Sequence, residues 1–255
     1  MSGTVSAIFL AAGYGTRLYP LTKHIPKALL PIGERVLLDE VLAALEDVPG
    51  LRRRVLVTNS RFAGQFRRWR DERGLDLEII DDGTDGPDQR LGAIRDLELA
   101  RTRSEADGDL LVLGTDNLFG WTLGEVVRRA QPHRPAPSVA LWEAPASADA
   151  TQFGVVTMDG AGRITAFVEK SPEPPSRSVA LCLYYFPEAM LGRIREFLEQ
   201  GGNPDAPGYF VEWLVRQEPV YGIPMSGAWY DIGTPEAYED VQRAWRRPQG
   251  PRSGA

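Results

Sequence analysis

The chain has 255 residues, 43% hydrophobic and 25% charged, a composition that excludes disordered and collagen-like classes and suits one large α/β domain. Lys and Arg total 29 against 35 Asp and Glu, and the net charge of -6 argues against a protein that coats nucleic acid. One cysteine, Cys182, cannot form an internal disulfide, and two histidines, His24 and His133, are too few for a His-rich metal site, so Cys-nucleophile and His-triad chemistry are disfavoured.

The amino terminus, Met1 to Thr4, has no basic region ahead of its apolar run. No later stretch reaches the ~18 apolar residues of a membrane span, so a cytoplasmic protein with no membrane partner is expected. Apolar runs predict strands at Val5 to Leu10, Arg54 to Thr58, Leu77 to Ile80 and Leu110 to Leu113. Between them, Leu37 to Leu45, Phe62 to Arg73 and Leu91 to Arg101 carry helical spacing, which is the βαβ signature of a parallel sheet covered on both faces. After about residue 135 strands dominate, at Ser138 to Glu143, Gly154 to Met158, Arg163 to Lys170 and Val179 to Phe186, with Asp159 to Gly162 as a hairpin turn. Helices return at Glu188 to Gln200, Gly208 to Arg216 and Pro235 to Arg246, the last with Thr234 as N-cap and Pro235 in the first helical position. The segment from Pro248 to Ala255 is rich in Pro, Gly and Ser and is expected to be a disordered tail behind one domain spanning 1–247.

The first strand runs into Leu10-Ala11-Ala12-Gly13-Tyr14-Gly15-Thr16-Arg17, at the strand end where a parallel sheet places its ligand crevice. Glycines there let backbone amides approach phosphate oxygens, and Thr16 and Arg17 add a hydroxyl and a guanidinium. The loop lacks the third glycine of a dinucleotide fingerprint, because Leu18 stands there, and the chain has no Walker-type Gly-Lys-Ser/Thr. A second cation, Lys27, follows in Pro26-Lys27-Ala28-Leu29-Leu30-Pro31. Only three of the 29 basic residues are lysines: Lys23, Lys27 and Lys170.

Gly-x-Gly-Thr-Arg-Leu, Pro-Leu-Thr, Pro-Lys and Leu-Leu-Pro, taken in order, resemble the sugar-1-phosphate nucleotidyltransferases, or NDP-sugar pyrophosphorylases, over about residues 4 to 243. The resemblance implies a Rossmann-like three-layer α/β/α fold with a mixed, mainly parallel central sheet. It also implies transfer of a nucleotidyl group from a nucleoside triphosphate to a sugar-1-phosphate, releasing pyrophosphate. Arg17, Lys27 and Asp116 are then the catalytic residues, and Leu10, Ala11, Ala12, Gly13, Gly15, Thr16, Arg90 and Gly92 the nucleotide contacts. Asp116 in Gly114-Thr115-Asp116-Asn117 and Asp231 in Trp229-Tyr230-Asp231-Ile232-Gly233-Thr234 look like the two ligands of a Mg²⁺ cofactor, which keeps waters and takes its other ligands from phosphates. Gly154, Glu169, Lys170 and Tyr184 resemble the sugar-binding positions.

Two segments depart from the family pattern. Cys182 stands where sugar-phosphate enzymes often carry glycine, and Arg90-Leu91-Gly92-Ala93 replaces the usual base-reading glutamine and glycine setting. They leave open a cytidylyltransferase acting on phosphocholine, a phosphonate or a polyol phosphate. A non-catalytic sugar-nucleotide-binding protein would be expected to have lost at least one of Arg17, Lys27, Asp116 or Asp231, and all four are present. A glycosyltransferase would be expected to carry Asp-x-Asp in place of Thr115-Asp116-Asn117. The nucleobase, the acceptor and self-association through the catalytic domain remain open at the level of sequence.

Overall fold

The computed structural model describes residues 3–146 and 148–245. The expected tail, and the last residues of the expected domain and final helix, lie outside them. Strand β1 (Val5–Leu10) is apolar at nearly every position because it is covered on both faces, as a central parallel strand must be. It pairs in parallel with β4 (Leu51–Thr58) on one side and β6 (Asp109–Gly114) on the other, and β5 (Glu78–Asp81) extends the sheet beyond β4. Strand β4 starts three residues earlier than its apolar run implies, because Leu51 and Arg53 already pair with Val5 and Ser6.

The second half of the sheet is mainly antiparallel. Strand β11 (Ser178–Phe186) lies between β8 (Ser138–Glu143) on one flank and two strands in succession on the other. Its first residues, Ser178 to Ala180, pair with β9 (Gly154–Met158), and Leu183 to Phe186 pair with β6. The edge of β11 is thus handed from β9 to β6 at Leu181 and Cys182, which opens a gap in the sheet there. Strand β10 (Ile164–Glu169) completes a hairpin with β9, whose turn is held by Asp159 Oδ1 accepting from the Ala161 and Arg163 amides at 2.9 and 3.0 Å.

Several elements were not visible as patterns in the sequence. An edge strand, β12 (Tyr221–Met225), pairs with β8 and tolerates Pro224. Two short ribbons join β2 (Pro31–Ile32) to β3 (Arg35–Val36), and β7 (Asn117–Phe119) to β13 (Trp229–Asp231).

Helices α1 (Leu37–Ala43), α2 (Ser60–Glu72), α4 (Leu123–Ala130) and α7 (Pro235–Ala244) pack on one face through Leu38, Phe62, Phe66, Val127 and Val241. Helices α3 (Ala93–Arg103), α5 (Gly192–Glu199) and α6 (Pro207–Val215) cover the other through Ile94, Leu97, Ile194, Phe210 and Leu214. This is the three-layer architecture implied by the resemblance. Thr234 caps α7, its hydroxyl accepting from the Ala237 amide at 3.2 Å, with Pro235 in the first turn as expected.

Helix α3 begins two residues later than its spacing suggests. Gly92 adopts φ +94°, and the Ile94 amide donates to the Pro204 carbonyl at 3.0 Å, so the helix start is docked on the loop before α6. The run expected as one helix from Glu188 to Gln200 divides into a single 3-10 turn and α5. Its first amide, that of Glu188, donates to buried Asp109 at 3.0 Å. Among the described residues no helix is long and apolar enough to cross a membrane.

Candidate active site

The carboxyl ends of β1 and β6 open into a cleft of about 460 Å³. Its walls include the loop from Leu10 to Leu18, Lys27, Gly114 to Asp116, Arg90, Gly92, Ala93, Lys170 and Cys182. The loop is held rigidly from behind. The Ala11 amide donates to the Val57 carbonyl at 2.9 Å, Thr58 Oγ1 to the Ala11 carbonyl at 3.3 Å, and Asn59 Nδ2 to the Ala12 carbonyl at 2.9 Å. Its carbonyls are thereby drawn towards β4. No acceptor among the described residues takes the amides of Gly13, Tyr14 or Gly15, which are therefore available to an anion. Gly15 adopts φ +62° to start a 3-10 turn that carries Thr16 and the exposed Arg17, and the Thr22 hydroxyl pins the Gly15 carbonyl at 2.7 Å.

The two aspartates expected to hold a metal are brought together by the β7–β13 ribbon. Asp231 is registered against Asn117, the residue after Asp116, and the Ile232 amide donates to the Asp116 carbonyl at 2.9 Å. Lys27 Nζ donates to Asp116 Oδ2 at 2.8 Å and Asn117 Nδ2 to Asp116 Oδ1 at 2.7 Å. Burial works against the Asp116 charge, but Lys27 and Asn117 hold its carboxyl below the usual range. The Asp231 carboxyl is instead pushed up to about 6, by burial first and by the Asp116 charge next, with Lys27 and Arg17 pulling the other way. Two hard-oxygen donors raised against each other in an anion-binding cleft form a donor set that suits a divalent cation such as Mg²⁺. Among the described residues no cluster of three or more His, Cys, Asp or Glu forms a fuller cage. Asp116 and Asp231 could supply two ligands, with further coordination positions left to oxygens from elsewhere.

The expected acceptor residues occupy the far side of the gap in the sheet. Glu169 is registered against Gly154 across the β9–β10 pair, and its carboxylate fills the space that a side chain at Gly154 or Gly208 would need. A Cβ at Gly154 would stand 2.8 Å from Glu169 Oε2, and one at Gly208 would collide with the same oxygen. Burial raises the Glu169 carboxyl above its ordinary range, with Lys170 opposing and Glu212 assisting. Lys170, just beyond β10, adopts φ +51°, a strained backbone for a lysine; its side chain lines the cleft, with Nζ 3.8 Å from Glu169 Oε1.

Tyr184 does not line the cleft. It shares a sheet face with Cys182, but it is 4% exposed, stacks on Phe186 at 5.8 Å and lies in the core under α6. The reading of Tyr184 as a substrate contact is corrected accordingly, since α6 covers the sheet beyond Cys182. Cys182 faces the cleft, and burial, with the Asp116 carboxylate, pushes its thiol up, so that it stays protonated. Arg90 and Gly92 both line the cleft, and Arg90 spans its mouth to Asp205 at 3.0 Å.

Other cleft residues carried weaker sequence signals. Asp96 is a carboxylate among the buried residues of α3, with Ile94, Leu97 and Ala100. Asp205 lies in a turn-rich stretch of two prolines ahead of α6. Asn117 connects Asp116 to Trp229, whose indole donates to Asn117 Oδ1 at 2.8 Å.

Residues 6–247 match the family model described as Nucleotidyl transferase. A UTP–glucose-1-phosphate uridylyltransferase of Haloferax volcanii is 27% identical over 94% of this chain and 96% of its own length. The mannose-1-phosphate guanylyltransferase catalytic subunit beta of Drosophila melanogaster is 29% identical over 91% of this chain, which spans 60% of that longer protein. In fold, the chain resembles a structure described as a glucose-1-phosphate thymidylyltransferase of Bacillus anthracis in complex with a sucrose, with a TM-score of 0.79, 22% identity and 94% of each chain covered.

Proposed function

Since the chain belongs to the nucleotidyl transferase family, we propose that it is a Mg²⁺-dependent sugar-1-phosphate nucleotidyltransferase, with residues 1–247 as one catalytic domain. The observation that carries this reading is the joining of Asp116, Asp231, Lys27 and the Gly13–Arg17 loop at one cleft, with Lys170 on its opposite rim. Relatives named for glucose-1-phosphate and mannose-1-phosphate transfer support a sugar phosphate as acceptor, and the retention of Gly154, Glu169 and Lys170 supports it further.

The reaction needs little from the protein in the way of proton transfer. A phosphate monoester with a second pKa near ~6 is largely dianionic at neutral pH and is itself the nucleophile. It attacks the α-phosphorus of the nucleoside triphosphate, the bond to the bridging oxygen breaks, and pyrophosphate leaves with the electron pair. The protein has two tasks, to hold two polyanions in line and to neutralise the charge that gathers on the leaving pyrophosphate.

The free amides of the Gly13–Gly15 loop and the Arg17 guanidinium would bind the β- and γ-phosphates, and Lys27 would lie along the reacting oxygens, exchanging part of its contact with Asp116 for phosphate. Asp116 and Asp231 would hold Mg²⁺, which supplies charge neutralisation between the α-phosphate and the attacking phosphate. Lys170 would meet the acceptor phosphate and Glu169 its hydroxyls. The buried thiol of Cys182 takes no part in bond making.

Pyrophosphate release, measured with Mg²⁺, ATP, CTP, GTP, UTP or dTTP, and glucose-1-phosphate, mannose-1-phosphate, N-acetylglucosamine-1-phosphate or phosphocholine, tests the proposal. Release that requires a sugar-1-phosphate is expected. Release confined to CTP with phosphocholine would replace the sugar by a phosphorylated alcohol. Nucleotide binding without turnover would replace the enzyme by a sugar-nucleotide-binding protein.

A further inference from the structure

At one wall of the cleft stands a pair of carboxyl groups that the transfer chemistry leaves unused. Asp96 lines the cleft from the first turn of α3 and is 6% exposed. It is within hydrogen-bond reach of Asp82, which follows β5. The Asp96 Oδ1 atom is buried, and no donor among the described residues reaches it. Asp82 is fixed in place, its Oδ1 accepting from the amide and hydroxyl of Thr84 at 2.7 and 2.8 Å. The Thr84 hydroxyl is in turn 3.0 Å from that of Tyr14, within the glycine loop. Two adjacent carboxylates repel strongly away from water, and one proton on the pair removes the repulsion.

We infer that Asp82 and Asp96 form a proton-binding site in the wall of the nucleotide end of the cleft, and that binding of a nucleoside triphosphate is coupled to uptake of one proton there. This rests on the nucleotide site proposed above. Burial, and then the charge of Asp82, push the Asp96 carboxyl up to about 7. Charges of both signs surround the pair: Asp81 acts on Asp82 but is faced by Arg67 of α2 at 4.0 Å and by Arg103 of α3, which donates to its carbonyl at 2.9 Å, and Asp82 and Asp85 act on Tyr14, with Arg61 opposing them there. Arg90, at the mouth, is already paired with Asp205. A polyanion entering this cleft adds negative charge and raises the proton affinity of the pair. Near pH 6 the pair holds its proton before the nucleotide arrives, whereas near pH 8 the proton must come from buffer when the nucleotide binds.

Calorimetric titration of the full chain with each of ATP, CTP, GTP, UTP and dTTP, without Mg²⁺ and in buffers of different ionisation enthalpy, counts the protons. At pH 8 the wild type should take up close to one more proton per nucleotide than Asp96→Asn, and at pH 6 the two should agree. Wild-type affinity should weaken above pH 7 by up to about tenfold per unit relative to Asp96→Asn. If Asp96→Asn does not fold, Asp82→Asn removes the same site from the loop side. Equal proton uptake by wild type and variant at pH 8 would overturn this inference and leave the nucleotide site standing. Failure of the wild type to bind any of the five nucleotides would overturn both.

Discussion

The floor and the mouth of the cleft are built in different ways. At the floor, Asp231 lies on a paired ribbon that Asp116 immediately precedes, with Lys27 at 2.8 Å and Asn117 at 2.7 Å fixing the Asp116 carboxylate. At the mouth, Arg90 and Asp205 meet at 3.0 Å across two loops, with side chains 63% and 48% exposed. A partly buried charge cluster, such as the Lys27–Asp116 pair with side chains 15% and 34% exposed, depends more on its partners than an exposed ion pair, which contributes about 0–1 kcal/mol and is easily exchanged for a ligand. The floor groups are thus tied to strand ends, short turns and a paired ribbon, whereas Arg90 and Asp205 stand on loops that can vary without disturbing the sheet.

The largest effects should come from the floor. Asp116→Ala and Asp231→Ala should each lower turnover by ~10³-fold or more and weaken the response to added Mg²⁺, near the upper end of what one charge-stabilising group supplies. A double variant no worse than either single would mark one shared unit in a kinetic cycle. Retention of activity and metal response by both singles would place the metal elsewhere. Arg17→Ala should cost roughly 10²- to 10³-fold in turnover, and near-native rates would remove it from the leaving-group site.

On the acceptor side, Gly154→Ala puts a methyl group 2.6 Å from the Phe167 ring and 2.8 Å from Glu169 Oε2. It should raise the acceptor KM about tenfold while leaving the nucleotide KM unchanged, within the ~1–3 kcal/mol of an overpacked site. A rise in both constants would show that the two substrate sites are not separate.

A smaller effect should appear in thermal stability against pH. The Asp96 carboxyl has an ordinary pKa of 3.8 and is raised to about 7 in the folded chain. Between these values the unfolded chain releases a proton that the folded chain keeps, so stability falls as pH rises, and the penalty is complete above 7. Asp96→Asn should therefore melt higher than wild type at pH 8, by roughly 2–4 °C for each kcal/mol relieved, and show no such gain at pH 4. A constant difference across pH would contradict the raised carboxyl. Arg90→Ala should change folding stability least, by less than about 1 kcal/mol in a denaturant titration, and a larger loss would mean that the mouth is as tightly built as the floor.

Much of this contrast was legible in the sequence at the floor and little at the mouth. The parallel strands announced themselves because burial on both faces demands continuous apolar runs, and Arg17, Lys27 and Asp116 follow such runs closely in the chain. Asp231 could be related to Asp116 only through a motif, because three-residue strands such as β7 and β13 are too short to show any period. Strand β12 was hidden by Pro224, which reads as a breaker unless the strand is known to lie at an edge. Tyr184 looked like a cleft residue from its place two positions after Cys182. Only the packing of Phe210 against Phe186 shows that α6 covers that part of the sheet. Asp82 and Asp96 are 14 positions apart in an acidic chain, and their contact arises from the docking of α3 across β1 and β4, which no local pattern encodes.

The Trp229 indole is one amide away from the floor, since Asn117 accepts from it at 2.8 Å and donates to Asp116 at 2.7 Å. It is also in ring contact with Trp142 and Phe153, at 5.2 and 5.3 Å. Trp229 is therefore linked through a single side chain to Asp116, the proposed metal-binding carboxylate, and is a native fluorophore whose emission should follow occupancy of the floor without any attached label. Subtracting the Trp229→Phe spectrum from the wild type would isolate that signal and turn cation titration into an optical measurement.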